Sequence, residues 1–198
     1  MADLPVQRRL AAIAVADVVG YSRLMGADEI GTLAALKQRR TEILNPTVRD
    51  HGGRIVKVMG DGVLVEFAIA MNAVTAAIEL QSKMAEANEP LPENRRIVLR
   101  VGINLGDVIG EGSDIYGDGV NIAARLEAMA EPGGGLHLGQ GIRRRANRVT
   151  ERFRDLGGRR SRTARPVRAY ALNTAPAPAI PPVGHEVFPS LAIVHRSC

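Results

Sequence analysis

Asp17 and Asp61 are the first residues of this chain whose types and surroundings suggest chemistry. Asp17 lies near the end of an apolar run, residues 11–19, that reads as a buried strand. Asp61 stands between Gly60 and Gly62, where two β-branched runs, 54–58 and 63–67, meet in a hairpin turn. A strand, a helical crossover and a second strand in one sheet run parallel, so the end of the first and the turn after the second share one sheet edge. Two carboxylates brought together there repel each other unless protonated or bridged by cations. Mg²⁺ characteristically binds through one or two carboxylates plus substrate phosphates. The glycines beside Asp61 admit a phosphate to the backbone, and Gly20-Tyr21 opens a helix whose free N–H groups suit an anion. On spacing alone the alternative is structural, with Asp61 a turn residue and Asp17 an N-cap.

Asn121 and Arg125 are four residues apart on the helix expected after the loop 110–119, and so project from one face. Together they suit a sugar and a phosphate; separately each is an ordinary surface polar residue. Lys57 alternates with Val56 and Val58 on a hairpin strand, the pattern of a solvent-facing lysine.

The elements that must position these residues follow from periodicity. After the first strand come helical spacings at Leu33, Leu36, Ile43 and Leu44, with Pro46 expected to kink this helix or break it in two and Gly52-Gly53 to stop it. Residues 70–87 read as a helix with Ala70, Val74, Ala77, Ile78, Met84 and Ala85 inward and the Glu79/Lys83 pair outward. Residues 97–105 alternate as the longest strand, with 106–109 expected to pair back on it, and a helix spans 120–129. Short strands are expected at 136–138, 152–156 and 167–172, with a further helix between the first two of them. The order implies an α+β sandwich, a mainly antiparallel sheet with flanking helices, over residues 1–172. From Asn173 to Cys198 the Pro- and Ala-rich composition reads as a poorly ordered linker or tail.

Composition removes several classes. With 198 residues, 45% hydrophobic and 24% charged, the chain is long enough for one ordinary core, and it is neither disordered nor collagen-like. It has no apolar run long enough to span a bilayer. Arg8-Arg9 followed by residues 10–16 imitates a signal peptide, but seven apolar residues read better as a strand. A single cysteine, Cys198, excludes an internal disulfide framework and a Cys-based zinc site, which points to a reducing, cytoplasmic setting. The net charge of +5 is local: residues 1–140 carry 14 Lys and Arg against 18 Asp and Glu, whereas 141–198 carry 12 against 3. Arg143, Arg144, Arg145, Arg148, Arg152 and Arg154 would suit a phosphate-tracking patch. An aromatic content of 3% leaves little surface for base stacking, so no nucleic-acid partner is expected.

Four blocks carry a family resemblance: residues 16–22 (ADVVGYS), 53–62 (GRIVKVMGDG) running on to Phe67, 100–106 (RVGINLG) and 114–125 (DIYGDGVNIAAR). In this order and spacing they resemble the class III adenylate/guanylate cyclase catalytic domain, over about residues 8–172. The resemblance implies a ferredoxin-like core acting as a head-to-tail homodimer with interfacial sites. It implies that Asp17 and Asp61, with the Val18 carbonyl, bind two divalent metals, Mg²⁺ or Mn²⁺. One would activate the ribose 3′-hydroxyl and the other would neutralise the triphosphate. From the other protomer Lys57 and Asp114 would read the purine. A lysine donor and an aspartate acceptor fit adenine, hence ATP. Asn121 would orient the ribose and Arg125 would meet charge developing at the α-phosphate.

The expected activity is therefore conversion of ATP to 3′,5′-cyclic AMP and pyrophosphate; the alternative is a cyclase-like binding or dimerisation module with little turnover. One segment departs from the pattern. Related bacterial domains carry a phosphate-gripping lysine ahead of an Ala-Arg-Pro-Val match. Residues 156–166 (LGGRRSRTARP) contain none, leaving Arg160 or Arg162 as the substitute.

Overall fold

A computed structural model describes residues 7–138, 153–160 and 166–172, and the side-chain surroundings of residues 8–135. Strand β1 (Gln7–Val18), apolar without interruption from Leu10 to Ala16, lies between β3 (Gly62–Phe67) and β4 (Leu99–Glu111) and is antiparallel to both. Strand β2 (Gly53–Met59) pairs antiparallel with β3, so β1 and β2 point the same way and their ends share one edge. Beyond β4 the sheet continues through β6 (Gly135–Leu138), parallel to β4, and then β8 (Pro166–Leu172) and β7 (Phe153–Arg160). Short β5 (Asp114–Tyr116) folds back on the far end of β4. With α1 (Tyr21–Ala27), α2 (Glu29–Arg39), α3 (Asn45–Asp50), α4 (Ala70–Asn88) and α5 (Asp118–Met129), this is the expected α+β sandwich.

Period-two alternation gives the sheet two apolar faces. Ala12, Ala14, Ala16, Val63, Val65 and Phe67 pack against Leu36, Leu44, Val74 and Leu80 of the helical layer. Ala11, Ile13, Val15, Leu64 and Val108 form the opposite core with Ile115 and Ala123. Helix α5 comes close to this second face because β4 presents Gly102, Asn104 and Gly106 to it. A Cβ on Gly102 would stand 2.2 Å from the Ala123 carbonyl oxygen and from the Glu127 nitrogen. Asn104, 4% exposed, donates from Nδ2 to the Gly119 carbonyl at 3.0 Å, giving a buried amide a partner on the helix it faces.

Three local expectations change. Residues 106–109 do not return on the preceding strand but extend it, because β1 is long enough to pair through Gly110; β5 supplies the return. Ala85 faces solvent, and Gln81 takes an inward place instead, donating to the carbonyls of Leu99 and Gly134. Pro46 does not end the helical run. The chain widens into a π-helical stretch, Arg40–Leu44, directly ahead of Pro46 and resumes as α3, so the break in the regular hydrogen-bond ladder falls where the proline has no N–H to give.

Residues 173–198, Arg162, the helix expected ahead of β7, and Arg143, Arg144, Arg145, Arg148 and Arg152 lie outside the described residues. Among the described residues no helix is long and apolar enough to cross a membrane.

Asn88, buried at the end of α4, clamps the approach to β4: its Nδ2 donates to the Ile97 carbonyl at 2.8 Å and its Oδ1 accepts from the Ile97 N–H at 3.1 Å. Asn88→Ala leaves both buried backbone groups without partners and is expected to cost about 2–4 kcal/mol, read as a lower urea midpoint at unchanged slope.

Candidate active site

The carboxylate pair forms as the strand order requires. Asp17 is the penultimate residue of β1, and Asp61 sits in the two-residue turn between β2 and β3, where Gly60 takes a φ of 61°. The Arg40 guanidinium donates to the Gly60 carbonyl, so the π-helical stretch holds this turn. Gly62 makes room for Asp17, since a Cβ there would stand 3.3 Å from its Oδ1. Burial, and then the charge and hydrogen bond of Asp61, push the Asp17 carboxyl above the usual carboxylate range, partly offset by the Val18 N–H and Arg100.

Arg100 and Glu127 were not singled out in the sequence. Arg100 opposes Asp17 across the β1–β4 ladder, with Nη2 3.7 Å from Asp17 Oδ2 and Nε 3.1 Å from Oε1 of Glu127. Burial pushes Glu127 up as well; Arg100 opposes that shift, and Asp17 and Asp61 add to it. Arg100 thus stands between two carboxylates, Asp17 and Glu127, with Asp61 beside the first. Among the described residues no three His, Cys, Asp or Glu side chains form a metal-ligating group. The side-chain donors at this edge are the two neighbouring carboxylates, Asp17 and Asp61. That is the chemistry of a cation that keeps waters or takes phosphate oxygens, and these residues fit one.

A second cluster lies on the face that seats α5. In the β2–β3 ladder Arg54 opposes Glu66, Ile55 opposes Val65 and Lys57 opposes Leu64, so Val56 is an extra residue in a β-bulge. The bulge brings Arg54 and Lys57, three apart, to the same face, where strict alternation would send them to opposite ones. Lys57 Nζ then meets Asp114 Oδ2 at 3.1 Å. Asp114 also accepts from the Ile115 N–H on Oδ1 at 2.9 Å and from the Tyr116 hydroxyl on Oδ2 at 3.1 Å. The Lys57 hydrogen bond, followed by the Ile115 N–H, holds Asp114 below the usual carboxylate range; the same Lys57–Asp114 bond raises Lys57.

Helix α5 begins two residues earlier than its apolar pattern suggests, after Gly117 at φ 122°. With Ala123, Leu126 and Glu127 turned inward, Asn121 and Arg125 are exposed on its outer side. Gly20, at φ 67°, precedes α1, and the half-buried Tyr21 packs on the core. Arg160 ends β7. The two clusters stand toward opposite ends of β4, Asp17 against Arg100 at its start and Asp114 against Glu111 at its finish.

The model of the adenylate and guanylate cyclase catalytic domain matches residues 7–172, most of the chain. The chain belongs to this family. Putative adenylate cyclase 3 of Rhizobium meliloti (strain 1021) is 60% identical to this cyclase domain over 134 residues, 68% of the chain and 23% of the relative. An adenylate cyclase of Streptomyces coelicolor is 39% identical over 128 residues, 63% of the chain and 31% of the relative. The chain therefore spans about a quarter to a third of the length of these relatives. Among solved structures, an adenylate/guanylate cyclase/hydrolase from Silicibacter pomeroyi superposes with a TM-score of 0.77 at 42% identity, covering 85% of this chain and 98% of that chain.

Proposed function

We propose that this domain converts ATP to 3′,5′-cyclic AMP and pyrophosphate at sites completed by a second copy of the chain. The observation that carries the reading is the Lys57–Asp114 pair, an ammonium donor and a carboxylate acceptor 3.1 Å apart. Adenine offers an acceptor at N1 beside a donor at its 6-amino group, which this pair complements, whereas guanine offers the reverse. The adenylate cyclase names of the Rhizobium and Streptomyces relatives support the same base.

Asp17 and Asp61, with the Val18 carbonyl, would hold two divalent cations, Mg²⁺ or Mn²⁺. When bound, these cations supply activation of the 3′-hydroxyl and neutralisation of the triphosphate. Arg100 adds a fixed guanidinium at the same edge, a phosphate partner that does not depend on Arg160 or Arg162. Gly20 and Tyr21, at the start of α1, would offer main-chain N–H groups to a phosphate. Asn121 would orient the ribose, and Arg125 would stabilise charge gathering at the α-phosphate. The separation of the carboxylate cluster from the Lys57 cluster within one chain supports a homodimer in which each nucleotide takes metals from one copy and base contacts from the other.

The test is turnover of ATP and of GTP by the purified protein in Mg²⁺ and in Mn²⁺, repeated with Lys57→Glu/Asp114→Cys. The wild type is expected to form cyclic AMP in preference to cyclic GMP. In the double variant the ATP:GTP ratio of kcat/KM should fall at least about tenfold, roughly 1.4 kcal/mol. A constant ratio in a folded variant removes these residues from base reading.

A further inference from the structure

Asp114 belongs to a three-residue strand that pairs only with the end of β4, so little main-chain pairing fixes it in front of Lys57. Besides the Lys57–Asp114 bond itself, Arg54 ties it to β2. Its Nη1 donates to the Ser113 carbonyl at 2.7 Å, one residue before Asp114, and its Nη2 donates to Glu66 Oε2 at 2.7 Å. Glu66, with its side chain only 7% exposed, takes Arg9 on its other oxygen. A planar guanidinium satisfies two acceptors in fixed directions at once, and its orientation here is set by a buried carboxylate that is itself held from a second strand. The bulge at Val56 puts Arg54 and Lys57 on one face, so the residue that grips the turn and the residue that pairs with Asp114 are on the same strand.

We propose that Arg54 is a positioning residue for base selection: by clamping the Ser113 carbonyl to Glu66 it sets where the Asp114 carboxylate stands relative to Lys57. The inference rests on the base-reading role given to Lys57 and Asp114 above. A mere stabiliser of the sheet would affect both nucleotides alike; a positioning residue acts on their ratio.

The experiment compares wild type, Asp114→Ala, Arg54→Met and Arg54→Lys. Met keeps the aliphatic stem, and Lys keeps the charge but cannot serve both acceptors in fork geometry. Binding of 3′-deoxy-ATP and 3′-deoxy-GTP, which lack the attacking hydroxyl, is measured calorimetrically beside the turnover ratio. Arg54→Met is expected to lower the adenine-over-guanine preference about two- to tenfold in both readouts, the range for losing a hydrogen-bonded constraint, with Arg54→Lys restoring it only partly. If Asp114→Ala loses the preference while both Arg54 variants keep it, the positioning role is overturned and base reading stands. If Asp114→Ala keeps the preference, base reading fails and the proposal fails with it.

Discussion

Asp61→Ala is expected to lower cyclic AMP formation at least about a thousandfold, roughly 4 kcal/mol of transition-state stabilisation, with Asp17→Ala matching it. Asp61 sits in a turn and is not part of the buried core, so the loss should come without unfolding. Arg125→Ala, on the outer side of α5, should also be nearly inactive as a homodimer. Mixing the Asp61→Ala and Arg125→Ala proteins separates a shared site from two independent ones. In a mixed dimer one site collects both lesions and the other neither, so equal amounts recover at most ~25% of wild-type activity. No recovery despite demonstrated subunit exchange, or full activity in a strictly monomeric sample, rules out the shared site. Full turnover in either aspartate variant rules out the metal assignment.

The second large effect is structural. Gly102→Ala sets a methyl group against two backbone atoms of α5, each 2.2 Å from its position, and no side chain can swing aside to admit it. The helix must lift from the sheet, at about 3 kcal/mol, the upper end of ordinary overpacking costs. It carries Asn121 and Arg125 outward and Glu127 away from Arg100, so turnover should fall further than the population of folded protein does. Urea unfolding and kcat/KM of the same preparation check this; equal losses in the two would show that α5 keeps its seat.

Much of this arrangement is readable from residue order. Asp17 at the end of one strand and Asp61 in the turn after a parallel one must meet at an edge, because crossover geometry leaves no other place for them. Asn121 and Arg125 share a helix face for the same kind of local reason. Arg100 is less visible: it alternates correctly with Leu99 and Val101, and only the register of β1 against β4 shows that it faces Asp17. Glu127 reads as a surface residue until Gly102 and Gly106 bring α5 down onto the strand. The extent of β4 depends on its partner, since nothing within 106–109 says that β1 reaches that far. Arg54 and Lys57 did leave a trace, two long cations three apart in a pattern of period two, which a regular strand cannot place on one face.

The extra residue at Val56 acts on β2 as a frameshift acts on a message. Before it, inward and outward positions keep one phase; after it, they exchange. Core wall and working surface are thereby written in separate frames of one short strand. The side chain at 57 can change without touching the packing of Ile55 on Val65, so a new chemical preference can be acquired by substitution alone. Its length is not free in the same way. Removing one residue between Arg54 and Val58 would turn either the cation at 57 or the guanidinium at 54 to the opposite face of the sheet, with every side chain of the strand still present.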